Sequence, residues 1–519
     1  MKRIILFVII LTALISSGCT VNYKYEFKAV EYPDEAVMNL SSTEILSFIA
    51  RPTASNSYAE CIGLDGTSIV ISPYFKASVN GKNIPSYATP VFSAQGGGSG
   101  MLHSFTTILV KPSESNLFKA SIKLETSFSV KKADVLPSAD NVLIEGNTVT
   151  AYFSQYGTYT FIFNGRQIYA YTIYIKEAVD EDAEIAAYKE AYGNENVIVY
   201  DNGFYNVDRI NLNSDSVVYL KSGAFLRAEK TYEIMSTEDE KNAPDRSAFF
   251  EITNKNNIII KGNGIVDFTG HWLHSRQAFF SSGSQNITLQ DIIFLNPSWW
   301  TVYAYRSDNI KINNISVYGY KINSDAFNIC NSKDVTVNGC FARAGDDCFS
   351  AKSLGSWDNK TCENVYFENC YAWPGKARAF GITGEIESLI KDITFKNSIV
   401  LFRDATWSAT RLGSLVVIAE TGNGNVENIT FENILINSDS MGAINLCVEN
   451  TSRENFNAKN IIFKNITATQ TGKSLISCTN QSNLISASFE NVVINNTPLN
   501  TETLNKLFNY DNINSFNFK

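Results

Sequence analysis

From about residue 197 onward, the chain repeats one short pattern of polar and apolar positions. Each copy starts with a polar residue and continues aliphatic–any–apolar–any–polar, as in Asn428-Ile429-Thr430-Phe431-Glu432-Asn433. This alternation with a period of two places Ile429 and Phe431 on the same face of a strand. The polar residues that start the copies are Asn257, Asn286, Asn309, Asp334, Asn364, Asp392, Asn428 and Asn460, with a looser copy at Ser486.

The spacing of these copies indicates the fold class. Successive copies are about 23 to 36 residues apart, and the segments between them carry short strand patterns and no helix signal. This combination predicts a right-handed parallel β-helix, in which stacked coils bury a continuous apolar column and the Asn residues form ladders in the turns. A leucine-rich repeat is the alternative, but the chain lacks the Leu-spaced consensus and the helical stretches of that class.

The chain before residue 177 has a different pattern. From Asn22 to Ile175 it contains short alternating strands, such as Tyr159 to Phe163, with turn dipeptides such as Asn164-Gly165, and this predicts an antiparallel β-sandwich. The acidic, Ala-rich stretch from Glu177 to Tyr192 predicts a short helix. We therefore expect an all-β protein with a signal peptide over residues 1–19, a β-sandwich over 20–176, a linker with a short helix over 177–196 and a β-helix over 197–519.

The first 19 residues have the features of an export signal. The basic residues Lys2 and Arg3 precede the apolar run from Ile4 to Ile15, and Ser16-Ser17-Gly18 supplies small residues directly before Cys19. This arrangement predicts a bacterial lipoprotein with Cys19 as the lipidation site. We expect an exported protein held by a lipid anchor on a cell membrane, on the periplasmic side or the cell surface. Simple secretion is the alternative.

Composition narrows the class of partner. The chain is 44% hydrophobic and 18% charged, with a formal net charge of −9, which suits a large β-rich body and argues against nucleic acid as a partner. Eight cysteines follow Cys19. Cys340 and Cys362 are 22 residues apart, as are Cys348 and Cys370, and this is about one coil. We favour stacked core thiols over disulfides, and a zinc site is less favoured because the cluster has no CxxC.

Three aspartates in the segments Asn323-Ser324-Asp325 and Gly345-Asp346-Asp347-Cys348 carry the candidate chemistry. Asp325 and Asp346 are 21 residues apart, about one coil, so the three carboxylates are expected to share one patch of surface. Clustered carboxylates repel one another, so one tends to keep its proton while its neighbours stay ionised. Glycoside hydrolysis needs this division into an acid and a base. The competing interpretation is a turn whose carboxylates accept hydrogen bonds from backbone amides. For the catalytic interpretation, the backbone must kink so that Asp346 and Asp347 both face one groove, and Gly345 permits this kink.

These segments belong to a longer series of motifs. In chain order the motifs are Gly262-Asn263-Gly264-Ile265-Val266-Asp267, Asn296-Pro297-Ser298-Trp299-Trp300, Asn323-Ser324-Asp325, Gly345-Asp346-Asp347-Cys348 with Lys352-Ser353, Arg378-Ala379-Phe380-Gly381-Ile382-Thr383-Gly384, and Thr410-Arg411-Leu412-Gly413-Ser414. Their order and spacing resemble the polygalacturonase family of β-helix glycoside hydrolases (family 28) over about residues 215 to 500. The preceding β-sandwich is more like the related dextranase and isopullulanase family (family 49).

The resemblance implies an activity and roles for the site residues. It implies inverting hydrolysis of glycosidic bonds in a polysaccharide, with no cofactor and no metal. Asp346 would protonate the departing oxygen, and Asp325 and Asp347 would activate water. Inverting sites commonly hold their carboxyl groups about 6.5–9.5 Å apart, which leaves room for that water. Asn323, in the same motif as Asp325, is a candidate for substrate binding.

Further residues are candidates for contacts with substrate. Lys352 contacts substrate or pairs with the aspartates, and Arg378 and Arg411 bind a substrate group or neutralise the carboxylates. Trp299 and Trp300 are candidates for stacking, because aromatic faces suit the apolar faces of sugars. Adjacent strand residues point to opposite faces. We therefore expect only one of them, with Trp299 as the candidate, to face the groove, and the other to be core.

Two departures from the family pattern affect the substrate. Arg378 stands where the family has His, and Gly413 stands where it has Lys. These departures weaken a galacturonan assignment and favour a neutral or differently decorated glycan. Glu385, just past the site, is expected to be a solvated surface residue.

Two other functions stay open at the level of sequence. One is a non-catalytic glycan-binding β-helix, which the missing His favours and the three aspartates oppose. The other is a polysaccharide lyase, which would use basic residues such as Arg378 and Arg411. For the enzyme we expect a monomer with a polysaccharide substrate, no nucleic acid partner and membrane contact only through the lipid anchor. The sequence leaves the polymer, the linkage and endo or exo action open.

Overall fold

A β-sandwich followed by a β-helix makes up the part of the chain that the structure describes. The computed structural model describes residues 25–38, 69–92, 100–112, 118–229, 248–271, 273–319, 321–355, 360–403, 413–449, 454–478, 482–511 and 515–518. Helical segments are Glu181–Tyr192 and Leu504–Leu507, with 3₁₀ turns at Asp34–Ala36 and Asn194–Asn196. Among the described helices, none has the length and apolar character needed to cross a membrane.

The sandwich consists of an 8-stranded and a 5-stranded sheet. The larger sheet has the order β2-β3-β6-β7-β13-β12-β9, with β1 on β7, and the smaller has the order β10-β11-β8-β4-β5. The strands are β1 (Tyr25–Ala29), β2 (Val37–Met38), β3 (Ile69–Ile71), β4 (Phe75–Val79), β5 (Lys82–Ile84), β6 (Tyr87–Phe92), β7 (Gly100–Pro112), β8 (Ala120–Thr126), β9 (Ala133–Leu136), β10 (Asn141–Glu145), β11 (Thr148–Phe153), β12 (Gly157–Phe163) and β13 (Ala170–Glu177). Most pairs are antiparallel, whereas β7 with β13 and β2 with β3 are parallel.

The helix Glu181–Tyr192 connects the two parts of the fold. Its N-cap is Asp180, whose side chain accepts a hydrogen bond from the Ala183 amide at 3.1 Å. Asp and Glu in the first turn favour this end of a helix electrostatically. Gly193, with φ of 89°, ends the helix, because a positive φ suits glycine. The short helix predicted from the acidic, Ala-rich stretch is therefore present.

The β-helix stacks parallel strands into a 20-stranded and an 11-stranded sheet. Its strands are β14 (Val197–Tyr200), β15 (Gly203–Val207), β16 (Ile210–Asn211), β17 (Val217–Leu220), β18 (Ala224–Ala228), β19 (Phe250–Thr253), β20 (Asn256–Gly262), β21 (Ile265–Asp267), β22 (Phe279–Ser282), β23 (Gln285–Gln290), β24 (Ile293–Leu295), β25 (Val302–Tyr305), β26 (Asp308–Asn313), β27 (Ser316–Tyr318), β28 (Phe327–Cys330), β29 (Lys333–Asn338), β30 (Phe341–Arg343), β31 (Phe349–Ser353), β32 (Cys362–Glu368), β33 (Tyr371–Ala372), β34 (Phe380–Ile386), β35 (Ile390–Val400), β36 (Leu415–Thr421), β37 (Val426–Ile436), β38 (Ile444–Val448), β39 (Asn457–Ala468), β40 (Ser474–Cys478), β41 (Leu484–Ile494), β42 (Thr497–Pro498), β43 (Phe508–Tyr510) and β44 (Ser515–Phe518).

The coils follow a regular order. An early coil contributes one strand to the 11-stranded sheet and two to the 20-stranded sheet, as β26, β27 and β28 do. From β35 onward one long strand replaces the two, since β35 pairs with both β32 and β33. This is the predicted all-β fold, a parallel β-helix preceded by an antiparallel sandwich, and the prediction is confirmed.

Inward-facing residues of successive coils stack on one another. Phe395, Phe431 and Phe463 form one such column, with ring centroids 5.0 and 4.9 Å apart and nearly parallel planes. Ile429 and Phe431 are both fully buried, as the alternation predicted. Each stacked ring buries apolar surface against two neighbours, which stabilises the coils.

Asparagine ladders hold the turns of the β-helix. Asn428 Nδ2 donates to Asp392 Oδ1 at 2.8 Å, and Asn460 Nδ2 donates to Asn428 Oδ1 at 2.9 Å. All three residues have positive φ, between 55° and 57°. Asn and Asp tolerate this left-handed conformation better than most residues. The predicted ladders therefore combine a backbone requirement with a repeated hydrogen bond.

The sandwich packs against the 20-stranded sheet. Phe105 of β7 stacks on Tyr318 of β27 with centroids 5.3 Å apart, and the hydroxyls of Tyr174 and Tyr318 lie 2.6 Å apart. Arg343 Nη1 lies 2.6 Å from His103 Nδ1. Burial, together with Arg343, lowers the pKa of His103 well below its ordinary value, so His103 accepts this hydrogen bond as a neutral ring. The sandwich therefore contacts a different sheet from the one that carries the aspartates.

The cysteines that the structure describes are buried free thiols: Cys330, Cys340, Cys348, Cys362, Cys370, Cys447 and Cys478. They are free and lie in the core, as favoured from the spacing. The register stacks Cys340 on Cys370, because Phe341 lies opposite Tyr371, and not on Cys362 as the 22-residue spacing suggested. Cys61 and the predicted lipidation site Cys19 lie outside the described residues.

Candidate active site

Asp325, Asp347 and Arg378 occupy one equivalent position in three successive coils. Each lies two residues before a strand of the 11-stranded sheet, namely β28, β31 and β34. Backbone hydrogen bonds fix this stack: the Ala326 amide donates to the Asp347 carbonyl, and the Cys348 amide donates to the Arg378 carbonyl, each at 2.9 Å. The residue stacked on Asp325 is therefore Asp347, and Asp346 lies one position earlier in the turn.

The three aspartates form what we call the acidic cluster: Asp325, Asp346 and Asp347. One carboxylate oxygen from each lies within 4.8 Å of the other two. Asp325 and Asp347 are buried, whereas Asp346 is partly exposed. The predicted convergence of the three carboxylates on one patch is present in the structure. The spacing would also suit a cation, but two basic side chains already supply positive charge at this place.

The turn before Asp346 depends on Gly345. A Cβ at this position would lie 1.7 Å from the Lys321 carbonyl oxygen of the preceding coil. The Gly345 amide donates to Ser324 Oγ at 3.1 Å, and the Asp347 amide donates to Asp346 Oδ1 at 3.0 Å. The glycine is therefore required for a close approach between coils. The competing interpretation of a turn with carboxylate–amide bonds is correct in part, because those bonds coexist with the cluster.

Lys352 bridges the buried carboxylates from the outer face of β31. Its Nζ lies 3.3 Å from Asp325 Oδ2, 3.7 Å from Asp347 Oδ2 and 3.3 Å from Glu385 Oε2. Burial lowers the pKa of Lys352, but the charges of Glu385, Asp325 and Asp347 outweigh burial and hold this pKa above its ordinary value. Of the two roles predicted for Lys352, pairing with the aspartates is the one present in the structure.

Arg378 clamps the other side of Asp347. Its backbone amide donates to Asp347 Oδ1 at 3.1 Å and its Nη1 donates to Asp347 Oδ2 at 3.3 Å. Its Nη2 donates to Glu420 Oε1. Arg378 is only 4% exposed, so the described contacts assign it to neutralising and positioning carboxylates. Arg411, the other predicted basic residue, lies outside the described residues.

Two carboxyl groups of the acidic cluster have pKa values above their ordinary value. Burial, together with the charges of Asp325 and Asp347, raises the pKa of Asp346 well above its ordinary value. Burial raises the pKa of Asp325 to about 6, with Lys352 opposing the shift and Asp347 adding to it. The shift favours the protonated form of Asp346, the group that clustering makes a candidate acid.

The two tryptophans lie differently from the prediction. Trp299 and Trp300 are both partly exposed, in a bend before β25, so the prediction that one of them is core is wrong. Strand alternation does not apply there, because the segment is not a strand. Trp299 lies beside His274, with ring centroids 5.4 Å apart, whereas Trp300 lies beneath Lys352 at 4.5 Å. Trp300 is thus the residue next to the acidic cluster.

Asn323 is held by a residue distant in the sequence. Its Nδ2 lies 2.8 Å from His274 Nε2. Asn323 and His274 both have positive φ, 54° and 60°, which is uncommon for His. No sequence pattern predicts this contact, because the two residues are 49 positions apart.

Two glutamates that were not predicted as site residues, Glu385 and Glu420, complete the site. Glu385 was expected to be solvated, but it contacts Lys352 and its side chain is 36% exposed. The sequence analysis did not identify Glu420, although Glu420 is the one acidic residue in the otherwise apolar segment from Leu415 to Glu420. Five carboxyl groups and two cations therefore meet among the described residues of this site.

Comparison with known proteins identifies the family. A model of "Glycosyl hydrolases family 28" matches residues 193–513. This match covers more than half of the chain, and the chain belongs to glycosyl hydrolase family 28.

Curated relatives match over shorter lengths. The chain is 27% identical to "Probable exopolygalacturonase B" of Neosartorya fischeri over 220 residues, which is 38% of this chain and 45% of that protein. It is 24% identical to "Polygalacturonase QRT2" of Arabidopsis thaliana over 261 residues, 46% of this chain and 56% of that protein. The chain thus spans about half the length of these curated relatives.

A solved structure shares the fold over most of the chain. "Dex49A from Penicillium minioluteum" superposes with a TM-score of 0.58 at 12% identity, covering 89% of this chain and 96% of that one. This coverage extends beyond the β-helix. At this identity the likeness shows the fold alone.

Proposed function

We propose that this protein is a glycoside hydrolase that cleaves glycosidic bonds of a polysaccharide at the acidic cluster. The observation that carries the proposal is the convergence of three carboxylates within 4.8 Å, with Asp346 biased toward its protonated form. Membership of glycosyl hydrolase family 28 supports it. The substrate of the family relatives is not transferred to this chain.

Each carboxyl group has a proposed role in the reaction. Asp346, which is partly exposed and whose raised pKa favours the protonated form, gives its proton to the glycosidic oxygen as the bond from that oxygen to the anomeric carbon breaks. A water molecule held by ionised Asp325 and by Asp347 loses a proton to a carboxylate and forms the new bond to the anomeric carbon. General acid and base catalysis of this kind contributes about 10²- to 10⁴-fold each. Arg378 and Lys352 position the carboxylates and limit their mutual repulsion.

The stereochemistry of the reaction is a separate part of the proposal. We propose a single displacement with inversion, and the family resemblance supports it. The oxygens lie within 4.8 Å, whereas inverting enzymes commonly have about 6.5–9.5 Å between carboxyl groups and retaining enzymes about 5–5.5 Å. Spacing therefore does not carry this assignment. Proton NMR of the first product tests it: a product of unchanged anomeric configuration would reject inversion.

Reducing-sugar release tests the hydrolase itself. The mature protein is assayed on dextran, pullulan, homogalacturonan, rhamnogalacturonan and sulfated algal glycans, beside its Asp346→Asn variant. We expect release from one polymer, reduced about 10²- to 10⁴-fold in the variant. The matched control is Asp334→Asn, at an exposed position near the start of β29 in the other sheet, which should leave release unchanged. Equal release by wild type and Asp346→Asn would overturn the role of Asp346.

A non-catalytic glycan-binding protein is the second candidate. Arg378, which stands in place of the family His, is buried against Asp347 and Glu420, and this favours a site altered from its relatives. Under this alternative no polymer releases reducing sugar, and Asp346→Asn leaves glycan binding unchanged. A lyase would instead form a double bond, which ultraviolet absorbance of the product detects.

We also propose that the protein is exported and anchored through a lipid on Cys19. The basic, apolar and small residues that precede Cys19 support this. In cells, Cys19→Ser should move the protein from the membrane fraction and abolish labelling by radioactive palmitate. Unchanged labelling would reject Cys19 as the lipidation site.

A further inference from the structure

Four aromatic side chains lie together beside the acidic cluster, and we call them the aromatic platform: Phe280, Trp300, Tyr303 and Tyr305. All four are partly exposed. Tyr303 is at the centre, with its ring centroid 4.9 Å from that of Trp300 and 5.0 Å from that of Phe280. Tyr305 lies 5.9 Å from Tyr303 on the same strand. Contiguous apolar surface on the outside of a soluble protein is a mark of a binding site.

The platform continues a row of side chains that ends at the carboxylates. Phe280 of β22 lies opposite Tyr303 of β25, and Tyr303 lies opposite Asn328 of β28. Asn328 Nδ2 donates to Asp325 Oδ2 at 3.1 Å. Neighbouring strands are about 4.8 Å apart. The rings of Tyr303 and Phe280 therefore lie about one and two strand widths from the coil of Asp325, on its N-terminal side.

Trp300 joins the platform to the acidic cluster. It lies two residues before β25, the position that Asp325 holds before β28. Lys352 Nζ lies 4.5 Å from the centroid of Trp300 and 3.3 Å from Asp325 Oδ2. A sugar chain that lies along the platform thus meets the carboxylates in the adjacent coil.

The charges around this row oppose an acidic sugar. Lys352 and Arg378 already contact carboxylates. Among the residues that the structure describes, the cluster with Glu385 and Glu420 holds more carboxyl groups than cations. Beyond Phe280 the row continues to Glu251 of β19. Arg306 lies 6.0 Å from the Tyr305 centroid, at the side of the platform. A uronate would meet a negative field along most of this path, whereas a neutral sugar packs its C–H face on an aromatic ring.

We propose that the aromatic platform binds uncharged sugar units of the substrate, so that the polymer is a neutral polysaccharide at these positions. The inference rests on the proposed function for the link between binding and cleavage. Binding is measured apart from cleavage, so the two proposals fail independently.

Affinity electrophoresis measures binding without catalysis. The mature Asp346→Asn protein is run through native gels that contain dextran, pullulan or homogalacturonan. We expect a neutral polymer to retard it and homogalacturonan to leave it unretarded. Tyr303→Ala or Phe280→Ala, added to Asp346→Asn, should weaken the retardation about 3- to 10-fold. Tyr366→Ala is the matched control, because Tyr366 is 37% exposed on the 20-stranded sheet, and it should change nothing.

The outcomes distinguish the proposal that the platform binds sugar from the proposal that the protein is a hydrolase. If retardation depends on Tyr303 and the wild type releases no reducing sugar, the proposal that the platform binds sugar stands and the proposal of hydrolysis is rejected. Retardation by homogalacturonan alone, by none of the polymers, or equally in Tyr303→Ala and its parent would overturn the platform. On a polymer that wild type cleaves, Tyr303→Ala should raise KM about 3- to 10-fold and change kcat less than about twofold, because the ring binds units away from the cleaved bond.

Discussion

The two sheets of the β-helix differ in regularity. The 20-stranded sheet shifts register once among its described strands, between Ala458 and Ile461. Between β35 and β37, nearer the acidic cluster in the chain, its register is constant, from Ile390 opposite Val426 to Val400 opposite Ile436. The 11-stranded sheet shifts register twice, between Ala351 and Ser353 and again after Gly384. Both shifts lie beside the acidic cluster.

The irregular places carry the charged side chains of the site. Lys352 lies within the first shift, and Glu385 and Glu420 lie at the second. A β-bulge re-aims side chains at the cost of ladder pairing. Regular coils therefore supply stability, and departures from regularity position the chemistry. This division predicts which substitutions affect folding and which affect activity.

The largest effect is expected for a core ring of the regular sheet. Phe431 stacks between Phe395 and Phe463 and is fully buried. Phe431→Ala should lower the free energy of unfolding by about 3–5 kcal/mol and leave turnover per folded molecule unchanged. Denaturant titration measures this, with the partly exposed Thr430→Ala as control. A loss below about 1 kcal/mol would show that the column contributes little.

Asp325→Asn should have the opposite effect on stability. Because burial raises the pKa of Asp325 from 3.8 to about 6, the folded protein binds more protons than the unfolded chain between these pH values. Stability contributed by this group therefore falls as pH rises through that window. In the described structure its buried Oδ1 also has no hydrogen-bond partner. We expect Asp325→Asn to abolish activity and to stabilise the protein by about 1–3 kcal/mol at pH 7.

Thermal unfolding at pH 7 and at pH 4 tests this sign. The gain from Asp325→Asn should largely disappear near pH 4, where Asp325 is protonated in the folded protein and about half protonated in the unfolded chain. Asp334→Asn, the same substitution at an exposed position, is the control. Destabilisation by Asp325→Asn at pH 7 would mean that its bonds to Lys352 and Asn328 outweigh the cost of burial.

The pH dependence of kcat/KM should report the same carboxyl group. If ionised Asp325 acts on water, kcat/KM falls about tenfold, or 1.4 kcal/mol, for each pH unit below about 6. The positive charge of Lys352 lowers the pKa of Asp325, so Lys352→Met should move this limb to higher pH. The limb is measured on the polymer found in the reducing-sugar assay. If Lys352→Met leaves the acidic side of the kcat/KM profile unchanged, a group other than Asp325 controls that side of the profile.

The features that could be predicted from the sequence are those that depend on local repetition. The alternation around Phe431 gave the buried column, and the recurring Asn gave the ladders, because both follow from spacing alone. Asp325, Asp346 and Asp347 were found for the same reason, since a motif one coil long brings them together. Counting by 21 residues still paired Asp325 with Asp346, whereas the backbone register pairs it with Asp347.

Sequence failed where the chain leaves the repeat. Trp299 and Trp300 lie in a bend, so alternation misassigned one of them to the core. Glu385 and Glu420 reach the site only through a register shift, and a shift has no periodic signal. His274 reaches Asn323 by a loop whose path depends on φ of 60° at a histidine. Each miss is a tertiary arrangement that spacing along the chain does not encode.

The smallest effect is expected in the turns of the regular sheet. Asn428 has φ of 57°, donates to Asp392 and accepts from Asn460, but it is exposed. Asn428→Ala loses both hydrogen bonds and places alanine, which has no polar side chain, in the left-handed backbone region. We therefore expect the free energy of unfolding to fall by about 1 kcal/mol. Asn428→Gly accepts the backbone conformation and loses only the bonds, so about half of that loss should remain. Denaturant titration of both variants separates the two terms. If Asn428→Gly is as stable as wild type, the ladder bond contributes nothing and asparagine serves the turn only through its backbone conformation.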